Sequence, residues 1–198
     1  SGIKVSKKLT LSTNLDFSRN NSNNRPATER GTNPLQWAYN MSPHLDIRQF
    51  RDYKQPTPDG HWTQLTAIPG TNNPYFLAYE VNNSFERDRL YGNVKADWQI
   101  SSDFSLMVRY GLDTYNEQRE TKIANSYTDD SRGVYGLMNI KNFESNADFL
   151  ATYKKNISDF SISASVGGNM RYQHGSNSYV GSKAQGGLIV PELYTTDN

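Results

Sequence analysis

Apolar and polar side chains alternate with a period of two along five stretches of the chain. From Leu9 one face reads Leu9, Leu11, Thr13, Leu15, Phe17 and the other Thr10, Ser12, Asn14, Asp16, Ser18. From Leu90 the faces are Leu90, Gly92, Val94, Ala96, Trp98, Ile100 against Tyr91, Asn93, Lys95, Asp97, Gln99. From Phe104 they are Phe104, Leu106, Val108, Tyr110, Leu112 against Ser105, Met107, Arg109, Gly111, Asp113. A fourth stretch sets Ala147, Phe149, Ala151, Tyr153 against Asp148, Thr152, Lys154, with Leu150 breaking the pattern. A fifth sets Phe160, Ile162, Ala164, Val166, Met170, Tyr172 against Ser161, Ser163, Ser165, Asn169, Arg171. Such alternation predicts strands with one apolar face. Their length, about ten residues or more, exceeds the usual strand of a soluble sheet and suits a tilted strand crossing a bilayer.

Turn signals divide the chain unevenly. Ser101-Ser102-Asp103 and Asn156-Ile157-Ser158-Asp159 read as tight hairpin turns, and Ile3–Val5 as the tail of a strand that turns at Ser6-Lys7-Lys8. The other strand ends open into long segments, approximately 19–86, 116–142 and 174–198. Short turns on one side and long loops on the other are the asymmetry of outer-membrane barrels. The expected fold is therefore all-β: an antiparallel meander forming part of a large transmembrane β-barrel, with long extracellular loops. The alternative, a secreted or surface β-sandwich module that binds glycans through loop aromatics and packs the Leu106 and Ile162 face between two sheets, explains the alternation equally well. It accounts poorly for the strand length and for so long a first connection.

The first loop carries an internal echo. Asn33-Pro34 and Asn73-Pro74 each read as an N-cap followed by Pro at the first helical position. Aromatic residues follow: Trp37 and Tyr39 after the first, Tyr75, Phe76 and Tyr79 after the second, with Trp62 between. These six rings either pack the loop on itself or face a ligand or partner. They are the candidate binding residues.

Composition narrows the class. Lys+Arg 21 against Asp+Glu 20 leaves no basic surplus for nucleic acid. Hydrophobic content is 35% and mean hydropathy −0.80, yet aromatics reach 12%, which argues against disorder. With Cys 0 there is neither a disulfide nor a thiolate metal site. His44, His61 and His174 lack ligand spacing, no nucleophile or phosphate-binding motif occurs, and Asn125 with Asp129-Asp130 lacks the spacing of a calcium loop. The sequence gives no reason to expect an enzyme, a cofactor or a metal. No apolar run is long enough for a spanning helix. The opening SGIKV reads as strand without a signal peptide, which suggests a piece of a longer polypeptide.

The run Asn73–Tyr115 resembles a stretch of the SusC/RagA-like TonB-dependent outer-membrane transporters of Bacteroidetes. It shows Asn73-Pro74-Tyr75, Asn82-Asn83, Arg87-Asp88-Arg89, Gly92-Asn93, the turn Ser101 to Asp103, and the exit Gly111, Asp113, Tyr115. The strand from Val5 to Asn20 and the closing GLIVPELYTTDN also look like family segments. The resemblance implies a barrel of about 22 strands, plugged by an N-terminal domain, that imports glycans or peptides across the outer membrane. It also implies energy from TonB through an N-terminal region absent here, and a SusD-like surface lipoprotein over the extracellular loops. On that reading residues 1–198 are a partial barrel segment without plug or remaining strands. The apolar faces meet outer-membrane lipid, the polar faces meet plug or lumen, and Trp98, Tyr110, Tyr153 and Tyr172 belong to aromatic girdles.

Overall fold

The computed structural model describes residues 2–25, 33–66, 69–182 and 186–197, without the side chains of Gln36 and Ala38. It is nearly all β. Strands β1 (Gly2–Lys4), β2 (Leu9–Ser22), β5 (Val81–Gln99), β6 (Phe104–Ile123), β7 (Val134–Ile157) and β8 (Phe160–Gly181) form one six-stranded sheet in the order β1-β2-β5-β6-β7-β8. Every strand lies beside its neighbour along the sheet's own chain order, which is an antiparallel meander, as expected. The connection after β2 contains β3 (Lys54–Pro56) paired antiparallel with β4 (Trp62–Gln64). It also holds helices α1 (Pro34–Asn40) and α2 (Pro74–Tyr79) and a 3₁₀ turn at Ile47–Phe50. Among the described residues no helix is long and apolar enough to cross a membrane.

The anticipated turns are present. β1 pairs with β2 in the register Ile3↔Leu11, and the Leu9 carbonyl closes the turn by accepting from Val5 and Ser6. The Phe104 carbonyl accepts from Ile100 and Ser101 in the β5–β6 turn. Between β7 and β8 only Ser158 and Asp159 intervene, and Ser158 takes φ 53, the left-handed conformation that tight hairpins require. The loop limits need correction. β2 runs to Ser22, β5 starts at Val81, β6 reaches Ile123, β7 starts at Val134 and β8 continues to Gly181. The outer parts of these strands carry no one-sided alternation to reveal them: those of β2 and β6 are almost wholly polar, and β7 opens on the apolar run Val134–Met138.

Packing divides the chain into two compact units: Ser1–Arg19, Arg87–Asn116 and Ile140–Ser176, then Asn20–Glu86, Glu117–Asn139 and Asn177–Asn198. The first contains the short turns and the alternating stretches. Its apolar face is open: Leu15, Val94, Val108, Ile162, Val166 and Met170 are all exposed, Val166 at 66%. The long strands form one sheet and not two packed ones, and no described residue covers the Ile162 face, so the sandwich arrangement does not hold. Edge-to-face contact of Phe143 with Tyr172, ring centres 6.2 Å apart, confirms that apolar positions of neighbouring strands share one side. Trp98, Phe104, Tyr153 and Phe160 lie near the short turns, and Phe17, Phe143 and Tyr172 lie farther along their strands.

The second unit has a core of its own. Tyr53, Phe76, Leu77, Val81, Ile123, Ala124, Tyr127 and Val134 form a buried cluster, with Trp62 and Tyr75 packed against it.

Candidate functional site

The polar face of the first unit is a lattice of cross-strand pairs. Arg89 on β5 grips Asp113 on β6 through two hydrogen bonds, Nε at 2.9 Å and Nη2 at 2.5 Å. Arg109 on β6 donates to Asp148 on β7 at 3.0 Å, and Arg171 on β8 donates to Glu144 on β7 at 2.8 Å. Asn169 on β8 donates to Asn146 on β7, and Thr152 shares a 3.0 Å hydrogen bond with Ser165. Each of these three cations meets one carboxylate, so the centre of this face neutralises its own charges. Exposed pairs of this kind add little to stability, because solvent screens them. Their larger consequence is a surface of paired donors and acceptors.

Within the lattice lies a hollow of about 340 Å³ lined by Asn14, Asn93, Gly111, Asn146, Arg109 and Asp148, among others. Gly111 is its floor. A methyl group there would meet nothing nearer than 3.7 Å, so neither crowding nor a positive φ demands glycine. Glycine inside a strand weakens it, and one that the fold does not require leaves room for close approach. Gly92 is the contrast: a Cβ there would lie 2.1 Å from the Asn14 carbonyl oxygen.

The six anticipated aromatic residues lie in the second unit and divide by exposure. Asn33 and Asn73 cap α1 and α2 as their Asn-Pro signatures predict, with Asn73 Oδ1 accepting from the amides of Tyr75 and Phe76 at 2.8 and 3.4 Å. Phe76 is fully buried, and its ring stacks on Tyr127 at 6.4 Å. Trp37 is buried edge-on against Phe50 at 5.3 Å. Trp62 is half-buried. Its indole N–H donates to Glu192 at 2.7 Å and the Lys54 ammonium sits 4.4 Å from its ring centre. Tyr75 and Tyr79 stack at 6.4 Å with an interplanar angle of 21°, and Tyr79 is 69% exposed. Tyr39 is 91% exposed. Trp62, Tyr75 and Phe76 belong to one packed cluster, whereas Tyr39 and Tyr79 present rings to solvent.

Polar groups knit this unit together. Asn73 is 1% exposed and its Nδ2 donates to the carbonyls of Phe50 and Leu65, at 3.0 and 2.7 Å. Gln64 donates to Asn72 and to the Ser126 carbonyl, and accepts from the Asn73 amide. Burial, then the adjoining Glu80 carboxylate, raises the Tyr53 phenol well above its ordinary range. Burial, then Glu192 and Glu80, pushes Tyr194 up to about 12. Asp46 falls to about 2 because the Arg48 side chain and amide both donate to it. Sequence reasoning did not identify the lattice partners Arg89 and Glu144, or Tyr53, Glu80 and Glu192 around Trp62. The first pair needs strand register; the others come together only through the fold of the loops.

No family model matches the sequence, and no curated protein matches it. A solved structure, described as the RagAB peptide importer in the 'closed-closed' state, resembles it with a TM-score of 0.64 at 17% sequence identity. The likeness covers 100% of this chain and 22% of that one, so the chain spans about a fifth of the length of its structural counterpart. At that identity the shared feature is the fold: a long-stranded β meander.

Proposed function

We propose that the chain is a wall segment, with its outer loops, of an outer-membrane barrel that imports nutrients. The observation that carries this is the two-sided sheet. One face of its first unit is apolar and open, and the other is polar and, at its centre, self-neutralised. A sheet with hydrocarbon on one side and an aqueous or protein-filled interior on the other needs that arrangement. The likeness to an importer supports the same reading.

On this reading the cargo is a glycan or peptide, TonB supplies energy through a region outside this chain, and a SusD-like lipoprotein closes over the loops. The exposed rings of Tyr39 and Tyr79, beside Tyr75, are the parts of the aromatic set available to cargo or lid. Trp37, Trp62 and Phe76 support them from within the packed loops. The experiment replaces Tyr39 and Tyr79 by Ala in the full-length transporter and measures uptake and lipoprotein association. A loss of either with the barrel intact is expected. Wild-type values for both would end the binding role of these rings.

A further inference from the structure

Arg19, Arg89, Arg109 and Arg171 in the strands of the first unit each meet a carboxylate. Lys141 on β7 differs: it is exposed and, among the described residues, meets none. Register gives it neighbours. The Arg109–Asp148 bond and the bond from the Lys154 amide to the Asp103 carbonyl at 2.7 Å fix the alignment of β6 with β7, which sets Asn116 opposite Lys141. Between β7 and β8 the contacts Glu144–Arg171, Asn146–Asn169 and Phe143–Tyr172 share one offset. The next step outward on the apolar side brings His174 beside Lys141. Asn116 and His174 are exposed as well. Their other same-side neighbours in this unit, Thr114, Phe143, Tyr172 and Ser176, carry no acid.

These three side chains stand one step beyond the ring pair Phe143–Tyr172. Inward from that pair the same side is apolar and open, with Phe149, Val166 and Met170 all exposed. Aromatic rings at the end of such a band mark the boundary between hydrocarbon and headgroups. An ammonium, an imidazole and a carboxamide just outside it are hydrogen-bond donors at headgroup depth. We propose that Lys141, His174 and Asn116 bind the phosphomonoester of a membrane lipid whose acyl chains lie along the open apolar side. A phosphomonoester fits because its terminal oxygens accept from donors on three adjacent strands at once. Its charge also meets a lysine that no carboxylate neutralises. This assignment rests on the reading that the apolar side faces a bilayer.

The test equilibrates the full-length protein in detergent with phosphatidic acid, and separately with a diacylglycerol of the same chains, and measures retained lipid by native mass spectrometry. Phosphatidic acid is expected to be retained well above the diacylglycerol. Lys141→Gln should lower the retained fraction about fivefold, adding His174→Gln should lower it further, and Lys141→Arg should keep it. Lys154→Gln, at an exposed position near the short turns, should leave it unchanged. Equal retention of the two lipids, retention indifferent to Lys141 and His174, or an equal loss with Lys154→Gln would each overturn the site. Displacement of phosphatidic acid by inorganic phosphate would show a site for the free ion and overturn the lipid assignment. A photo-crosslinking amino acid at Val166, in the intact membrane, judges the membrane reading separately. Labelling of lipid there is expected. Labelling of protein alone would end that reading and the lipid assignment with it, whereas a failed phosphatidic acid test beside lipid labelling at 166 ends only the proposed site.

Discussion

Asn73 shows how much one side chain can determine. Its amide caps α2 with the oxygen and ties down the Phe50 and Leu65 carbonyls with the nitrogen, all at 1% exposure. Asn73→Ala removes the cap and strands one buried and one part-buried acceptor, so the loop unit should lose about 2–4 kcal/mol. Hydrogen exchange at Tyr75, Phe76 and Leu77 reads that loss directly. Exchange unchanged from the parent would mean that the network is redundant. Asn73→Asp keeps the cap but aims a carboxylate at two carbonyl oxygens, so it should open the loops at neutral pH and recover on acidification. Tyr53 and Tyr194 make the opposite titration. Both phenols are raised in the folded loops, so the stability they contribute is complete below the ordinary tyrosine value near 10. It is then lost as pH rises through the folded values, between 10 and about 12 for Tyr194. Exchange of the loop amides should accelerate across that interval. Tyr194→Phe should blunt the acceleration, whereas Tyr39→Phe, at a 91% exposed site, should leave it unchanged.

At the scale of the element, each long strand carries two codes. Its inner stretch alternates because its two faces meet different surroundings, and that stretch was legible from the residues alone: the meander, the short turns and the apolar set Leu15, Val108, Ile162 and Val166 follow from period two. The outer stretch, such as Asn116–Ile123 or Val134–Asn139, is stabilised by strand pairing and by the buried loop cluster. It has no one-sided pattern, so its sequence reads as loop. Register was not legible either. Arg109 and Asp148 are visible as polar positions, but their bond exists only once β6 and β7 are aligned. The same alignment turns Leu150 from an irregularity into the partner of Met107. Among the candidate rings, the Asn-Pro caps revealed both helices, while exposure separated Tyr39 and Tyr79 from Trp37 and Phe76. Face assignment can be tested on β8 alone. Val166→Arg should cost about 2–4 kcal/mol in a bilayer. Ser163→Arg, three positions away on the polar face, should stay within about 0.5 kcal/mol. Denaturant titration of the refolded barrel in lipid vesicles measures both. Equal effects would mean that the two faces are not differently solvated.

For the molecule as a whole, the open surfaces decide behaviour. Water tolerates single exposed apolar side chains, but a contiguous patch beyond a few hundred Å² marks a surface that some other phase or partner covers. Here Leu15, Phe17, Val94, Val108, Phe149, Ile162, Val166, Met170 and Tyr172 share one side of a sheet whose last strand, β8, is exposed from Phe160 to Val180. An edge strand of that length, with unpaired backbone donors and acceptors, is a template for further pairing. Charge offers little resistance, since the net formal charge is only +1. The 198-residue chain in detergent-free buffer should therefore self-associate, and a micelle that covers the apolar side should disperse it. Sedimentation velocity with and without detergent makes the comparison. A charge-only mechanism predicts a strong response to salt. Burial of the apolar face predicts association that persists or grows as salt rises, because salt screens the few charges without weakening apolar contact. A compact monomer that melts cooperatively in plain buffer would show that this face needs no cover, and the barrel-wall reading would fall with it.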